Sequence, residues 1–201
     1  MSENKIYLCA ISNIESGTCN EDCKFCTQSV KYKADIQRYR RKEVEDIVKE
    51  AIIARKNRAI GFCLVTAGTG LDDKRLDYVC RAASAIKKEL GDELSLIACN
   101  GIATLDQLKE LKKHGIENYN HNLETAQEFY NEICTTHPWE DRYQTCLNAK
   151  EAGLQLCTGG IFGLGETQEN RISMLKSIAS LEPMSVPINF FHPNEALPIV
   201  K

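Results

Sequence analysis

Six short apolar runs alternate with six charged, amphipathic stretches, and that alternation restricts the fold more than any other feature of the chain. The runs Ile6–Ser12, Ile60–Ala67, Leu94–Cys99, Ile116–Asn120, Gln155–Ile161 and Val186–Phe191 have the length and residue types of strands. The stretches Lys42–Asn57, Leu71–Leu90, Leu105–His114, Ala126–Ile133, Glu140–Ala152 and Glu166–Leu181 read as helices. In the second of these, Leu76, Val79, Cys80 and Ala83 recur at the spacing of one apolar helix face. Gly91, Gly115 and Gly153 each follow a helical stretch, where a left-handed cap is wanted, and Thr104 with Gln107 fits a capping box. Strand–helix alternation predicts an α/β fold, a parallel sheet with right-handed crossovers. A doubly wound sheet and a TIM-type (β/α) barrel both satisfy it. A closed eight-unit barrel takes about 250 residues. The 201 residues hold about six units, so a barrel implies a C-terminal part that is missing and two strand edges left unpaired. All 5 prolines lie at or after Pro138, and no linker or low-complexity tract divides the chain, so residues 1–201 read as one domain.

Composition narrows the function classes. Hydrophobic residues make up 43% and charged residues 26%, which excludes disordered and fibrous classes. The net charge of -3, with both signs intermixed, gives no global basic field for nucleic acid or anionic lipid. Met1–Leu8 lacks the apolar core of a secretory signal, and no apolar run reaches the roughly 18 residues of a membrane helix. The expected location is a reducing cytoplasm, where clustered thiols serve metal or catalysis more often than disulfides. The chain has 10 cysteines, too few for a disulfide scaffold of this length, and they direct attention to metal chemistry.

Cys19, Cys23 and Cys26 stand in a C-x3-C-x2-C spacing just after the first strand. Gly17, Asn20 and Asp22 mark the segment as a loop, on which three thiolates converge on one inorganic centre. Three thiolates on a [4Fe–4S] cluster leave one iron without a protein ligand, free to chelate a small molecule. A structural zinc site completed by a remote histidine, His121 or His137, and three unrelated buried thiols are the competing readings. The triplet, with Phe25 before its last cysteine, resembles the radical S-adenosylmethionine (SAM) superfamily. The resemblance implies that SAM binds the open iron through its amino and carboxylate groups. Reductive cleavage of SAM then yields a 5′-deoxyadenosyl radical that abstracts hydrogen from an unactivated carbon.

Three more cysteines occupy strand positions: Cys63 in Gly-Phe-Cys, Cys99 in Leu-Ile-Ala-Cys, and Cys157 in Leu-Gln-Leu-Cys. Alternate residues of a parallel barrel point inward, so the three can face one another, although a single buried cysteine is more commonly a small hydrophobe. These segments are similar to those of the biotin synthase family, in which strand cysteines hold a [2Fe–2S] cluster. The resemblance implies an arginine as the fourth ligand, and its position falls beyond Lys201. Cys9, Cys80, Cys134 and Cys146 match neither set and read as buried or incidental thiols.

Several polar segments carry the same resemblance, which runs from about Cys9 to Pro198. Tyr119–Thr125 (Tyr-Asn-His-Asn-Leu-Glu-Thr) reads on its own as a polar strand-end loop. The family resemblance assigns Asn122 and Glu124 to the SAM ribose, and Asn120 with Asn122 to the substrate ureido group. Glu124 stands where the family more usually has aspartate. Gly159–Thr167 does not fit the dinucleotide pattern, but resembles the segment of radical SAM barrels that lies against adenine, with Ile161 as the apolar contact and Glu166 at the start of a helix. Arg142 corresponds to an arginine that pairs with the SAM carboxylate, a contact suited to a planar guanidinium. Phe25 joins the SAM-binding set, and Asn189 corresponds to a residue that binds the ureido carbonyl. Thr66–Gly70 sits where many relatives carry Gly-Gly-Glu for the SAM amino group, so backbone carbonyls are expected to serve there.

The resemblance implies a sulfurtransferase that inserts sulfur into dethiobiotin to give biotin, with no side chain acting as general acid or base. Its cofactors are a [4Fe–4S] cluster, a [2Fe–2S] cluster and SAM. Its partners are dethiobiotin and a reducing electron-transfer protein, a homodimer is compatible, and neither nucleic acid nor membrane is expected. A related radical SAM enzyme without the second cluster, and a non-catalytic zinc or Fe–S module, are the alternatives. With the arginine ligand outside it, the 201-residue chain is expected to be inactive alone.

Overall fold

The computed structural model describes residues 6–200, so the first five residues of the Met1–Leu8 stretch and Lys201 lie outside it. Strands and helices alternate: β1 (Cys9–Asn13), α1 (Val44–Lys56), β2 (Gly61–Val65), α2 (Asp73–Leu90), β3 (Ser95–Cys99), α3 (Leu105–Lys113), β4 (Ile116–Asn120). A 3-10 turn at Gln127–Phe129 then leads into α4 (Tyr130–Ile133), followed by α5 (Trp139–Glu151), β5 (Gln155–Cys157), β6 (Gly160–Phe162), α6 (Gln168–Ser180) and β7 (Ile188–Phe190). No helix among the described residues is long and apolar enough to cross a membrane.

The local signals act as their chemistry requires. Thr104 and Gln107 form the capping box of α3, and Asp72 caps α2 by accepting from the Arg75 amide. Gly91, Gly115 and Gly153 all take positive φ behind their helices. On α2, Val79, Cys80 and Ala83 are buried together with Tyr78, Ala82 and Ile86, while Leu76 is half-buried.

Five strands pair in parallel in the order β1-β2-β3-β4-β5, the order of the chain. A doubly wound sheet reverses its order at a switch point, so sequential order decides for the barrel. A parallel ribbon of β6 and β7 continues the arc, joined to it by the bridges Glu124–Gly160 and Cys157–Ser185. Among the described residues β1 pairs only with β2 and β7 only with β6, so both outer edges are open. Ile11 and Phe190 on these strands are 69% and 78% exposed, whereas Phe62, Leu64, Leu96, Ala98 and Tyr119 are buried in the core.

Three elements depart from the sequence reading. The run Gln155–Ile161 is broken at Thr158–Gly159, where the Gly159 carbonyl accepts from the Leu123 and Glu124 amides. Helix 126–133 becomes a turn plus one short helix, because the chain swings to carry the Ile133 carbonyl to the Lys24 amide. The last strand covers only Ile188–Phe190, preceded by Pro187, which has no N–H for the ladder.

A Cβ at Gly159 would lie 1.8 Å from the Pro187 carbonyl oxygen, so the join between the sheet and the β6–β7 ribbon tolerates no side chain. Gly159→Ala is expected to cost about 1–3 kcal/mol in urea unfolding. A midpoint equal to that of the unaltered chain would contradict this close approach.

Candidate functional site

The cysteine loop is built by short local bonds and then fixed from a distance. Gly17 takes φ of 67°, its amide donates to Gln28 Oε1 at 2.6 Å, and Arg38 donates to its carbonyl at 2.8 Å. The Cys26 amide donates to the Cys23 carbonyl at 3.0 Å, and the Val30 amide to the Cys19 carbonyl at 2.8 Å. The distant tie is Asp22. Its Oδ1 accepts from the Thr135 amide at 2.9 Å and the Thr136 amide at 3.2 Å, and its Oδ2 accepts from the Thr135 hydroxyl. Partial burial opposes ionisation there, but the Thr135 and Thr136 hydrogen bonds hold the carboxyl well below the usual range. Next to it, Glu21 accepts from the Thr69 and Thr136 hydroxyls and pairs with His137 Nδ1 at 2.6 Å.

Behind this loop lies a cavity of about 210 Å³ lined by Cys19, Cys23 and Cys26 together with Phe25, Thr66–Thr69, Cys99, His121, Asn122, Glu124 and Arg142. Four of the five residues that the family resemblance assigns to SAM thus meet the cysteine triplet in one space; the fifth, Ile161, does not line it. Arg142 is already engaged: Nε donates to the Tyr130 hydroxyl at 2.6 Å, Nη1 donates to the Asn122 carbonyl at 3.0 Å and lies 3.6 Å from Glu124 Oε1. Burial raises the Glu124 carboxyl, with Arg142 pulling the other way. Glu124 also holds φ of 69°, an uncommon conformation for a residue with a side chain.

Three residues of the cavity wall carry buried polar atoms with no protein partner, His121 Nε2, Asn122 Oδ1 and Glu124 Oε2; three more such atoms, Asn100 Oδ1, Asn118 Oδ1 and Asn120 Oδ1, lie on or just after β3 and β4, outside that lining. Burial keeps His121 neutral at physiological pH, so its free ring nitrogen accepts when the other carries the proton. All six atoms are therefore acceptors or accept in one tautomer, and the three that line the cavity suit a ligand rich in O–H and N–H donors.

Strand register places the other cysteines. Paired residues of parallel strands share a face, and Asn13, Val65, Cys99, Asn120 and Cys157 form one row across β1 to β5. Ile11, Cys63, Ile97, Asn118 and Gln155 form the row one step deeper. Cys63, Cys99 and Cys157 thus occupy one face in two adjacent layers. Burial, reinforced by neighbouring thiols, pushes Cys63 well up, and burial pushes Cys99 up to about 12. A Cβ at Gly160 would meet Met174 of α6, so the next residue, Ile161, lies on the opposite, interior face, beside its register partner Asn189. Asn189 is exposed and stands apart from the cavity of the triplet.

Cys9, read as a buried or incidental thiol, is exposed beside the open edge of β1. Two expectations need correction. Glu166 does not begin α6: Thr167 caps that helix, while Glu166 accepts from the Gly163 and Leu164 amides and from Arg171, fixing the preceding loop. Cys80, Cys134 and Cys146 are buried as expected, but Cys134 is not incidental, since its Sγ lies 3.6 Å from Cys23 Sγ. The spacing Cys134-Thr-Thr-His137 was the available sequence signal.

Known proteins match both the sequence and the shape. The radical SAM superfamily model covers residues 14–178. A biotin synthase of Aliarcobacter butzleri is 86% identical over 201 residues, all of this chain and 71% of that protein. A biotin synthase of Nitratiruptor is 71% identical over 195 residues, 97% of this chain and 70% of that protein. Among solved structures, methylornithine synthase superposes with a TM-score of 0.85 at 22% identity over 98% of this chain and 57% of that one, a likeness of fold alone. An FeFe-hydrogenase maturase from Carboxydothermus hydrogenoformans does so with a TM-score of 0.77 at 23% identity, over 95% of this chain and 46% of that one. The chain belongs to the biotin synthase family of the radical SAM superfamily.

Proposed function

We propose that this enzyme inserts sulfur into dethiobiotin to form biotin, with Cys19, Cys23 and Cys26 holding a [4Fe–4S] cluster and Cys63, Cys99 and Cys157 holding a [2Fe–2S] cluster. The observation that carries this reading is that three buried acceptors, on His121, Asn122 and Glu124, are left open in one cavity with three thiols of one loop. A metal clip needs no such acceptors. A ribose and a ureido ring need several, and both are rich in O–H or N–H donors. Bound there, the clusters and SAM supply one-electron cleavage of the sulfonium, hydrogen abstraction from unactivated carbon, and the sulfur itself.

The chain's own residues bind, orient and exclude water. Asn122 Oδ1 and Glu124 Oε2 accept from the ribose hydroxyls, and Asn120 Oδ1 accepts from a ureido N–H. Arg142 would pair with the SAM carboxylate through the guanidinium donors that Tyr130 and Asn122 leave free. Carbonyls of Thr66–Gly70 receive the SAM amino group; the Ala67 carbonyl already accepts from the Thr18 hydroxyl. Phe25 and Ile161 give apolar contact to the adenosyl group, and Asn189 donates its amide to the ureido carbonyl from the interior face of β7. Cys63 and Cys99 sit where burial opposes the thiolate, so their sulfurs ionise only against a positive centre. Residues 1–201 act as one barrel domain, and the arginine that the family resemblance implies as fourth [2Fe–2S] ligand has no counterpart among them. A reducing electron-transfer protein supplies the electrons.

Two outcomes are expected. After anaerobic reconstitution, Ala at Cys19, Cys23 or Cys26 each removes about four irons, and Ala at Cys63, Cys99 or Cys157 removes about two. An iron content that does not fall when the first triplet is altered, or no biotin from SAM, reductant and dethiobiotin in the full-length context, contradicts the reading. Separately, Arg142→Met leaves Glu124 as an uncompensated buried carboxylate and is expected to cost about 3–5 kcal/mol in urea unfolding. Adding Glu124→Gln is expected to restore part of that loss; strict additivity of the two changes would show that the pair is not coupled.

A further inference from the structure

We propose that Cys23, Cys134, His137 and Glu21 form a mononuclear site for a divalent cation of the zinc class, sharing only Cys23 with the three thiols of the cysteine triplet. The proposal rests on the cluster reading in one respect: because Cys23 belongs to both ligand sets, the ion and the [4Fe–4S] cluster exclude one another.

The geometry is close to that of a tetrahedral metal centre. Cys23 Sγ and Cys134 Sγ are 3.6 Å apart, Cys134 Sγ and His137 Nδ1 are 3.5 Å apart, and the donor atoms of all three residues lie within 4.8 Å of one another. A tetrahedral zinc with its usual bond lengths to sulfur and nitrogen has S–S edges of about 3.8 Å and S–N edges of about 3.6 Å. Glu21 Oε2 is 2.6 Å from His137 Nδ1 but stands outside the group of three donors, so it takes the fourth corner only when its carboxylate swings toward the two sulfurs and exchanges its hydrogen bond to His137 for a metal bond.

The surroundings supply what such a site needs. A ligating histidine must have its second nitrogen fixed. His137 Nε2 meets the Tyr130 hydroxyl at 2.7 Å, and that hydroxyl also receives Arg142 Nε at 2.6 Å. Glu21 is steadied by the Thr69 and Thr136 hydroxyls. All four ligands are buried, and the segment carrying Cys134 and His137 is tied to the cysteine loop through Asp22. The site thus brings together two chain segments that line the cavity of the cysteine triplet, and a metal ion there cross-links them in the cluster-free chain.

The test uses the full chain, freed of iron and handled without oxygen. Zinc is titrated against a competing chelator, and X-ray absorption at the metal edge is recorded on the unaltered protein loaded with one equivalent. The expected result is one tight ion with two sulfurs and two nitrogen or oxygen ligands. Cys134→Ser and His137→Ala each lower zinc affinity by about tenfold or more. Cys19→Ser and Cys26→Ser leave it within a factor of about three, the ordinary scatter of single-site effects away from the ligands. Three sulfurs around the ion, no stoichiometric binding, or affinity that depends on Cys19 and Cys26 rather than on Cys134 and His137 would overturn the proposal. Iron and sulfide counts on reconstituted Cys134→Ser are expected to equal those of the unaltered chain, and their loss would contradict separate ligand sets. Failure of the unaltered chain to take up iron would sink the cluster reading while leaving the zinc result to stand by itself.

Discussion

The Asp22 carboxylate joins segments 113 residues apart, and the site depends on that joint. A loop carrying three cysteines has no reason of its own to stay over the mouth of a barrel. Its backbone turns are short, and several of its residues are only half-buried. Asp22 accepts the amides of Thr135 and Thr136, and the Lys24 amide reaches the Ile133 carbonyl at 2.8 Å, so the loop is held against the chain that follows β4. Charge-assisted bonds of this kind are about twice as strong as neutral ones. They also bring Arg142 and Glu124, placed on and after the same stretch of chain, to the cysteines.

The barrel supplies the other half of the arrangement. Parallel pairing gives each interior position a register partner on the next strand, so chemistry can be laid out in rows. Cys99, Asn120 and Cys157 share a row, and Cys63 lies one row deeper. The polar ends of the strands would be costly if left without partners, because a buried acceptor without a donor costs about 1–3 kcal/mol. Glu124 adds backbone strain at φ of 69°. Strain and open acceptors coincide beside the cavity, the pattern of a surface shaped for a ligand rather than for its own stability.

Much of this was legible in the sequence, and the reasons differ from element to element. Helices α2 and α3 announced themselves through apolar spacing and caps, signals that are local and so survive without tertiary knowledge. The order of the sheet was not local, and strand–helix alternation left a doubly wound sheet open until the pairing order excluded it. The break at Gly159 depends on the approach of the Pro187 carbonyl, a contact across 28 residues that no window of sequence contains. The triplet Cys19, Cys23 and Cys26 was legible because its spacing is itself the signal. Asp22, Tyr130 and Cys134 were missed as working residues because each acts through a partner distant in the chain. The role of Glu166 was misplaced by a single residue, since Thr167 offers the better cap.

The central claim is that three sulfurs of one loop leave a fourth metal corner for SAM, which Asn122, Glu124 and Arg142 hold in place. Electron–nuclear double resonance on the reduced, reconstituted protein with SAM labelled at its amino nitrogen and carboxylate oxygen tests it most directly. The account predicts strong hyperfine coupling from both labels to one iron of the cluster. Coupling from neither label, with SAM demonstrably bound, would contradict it.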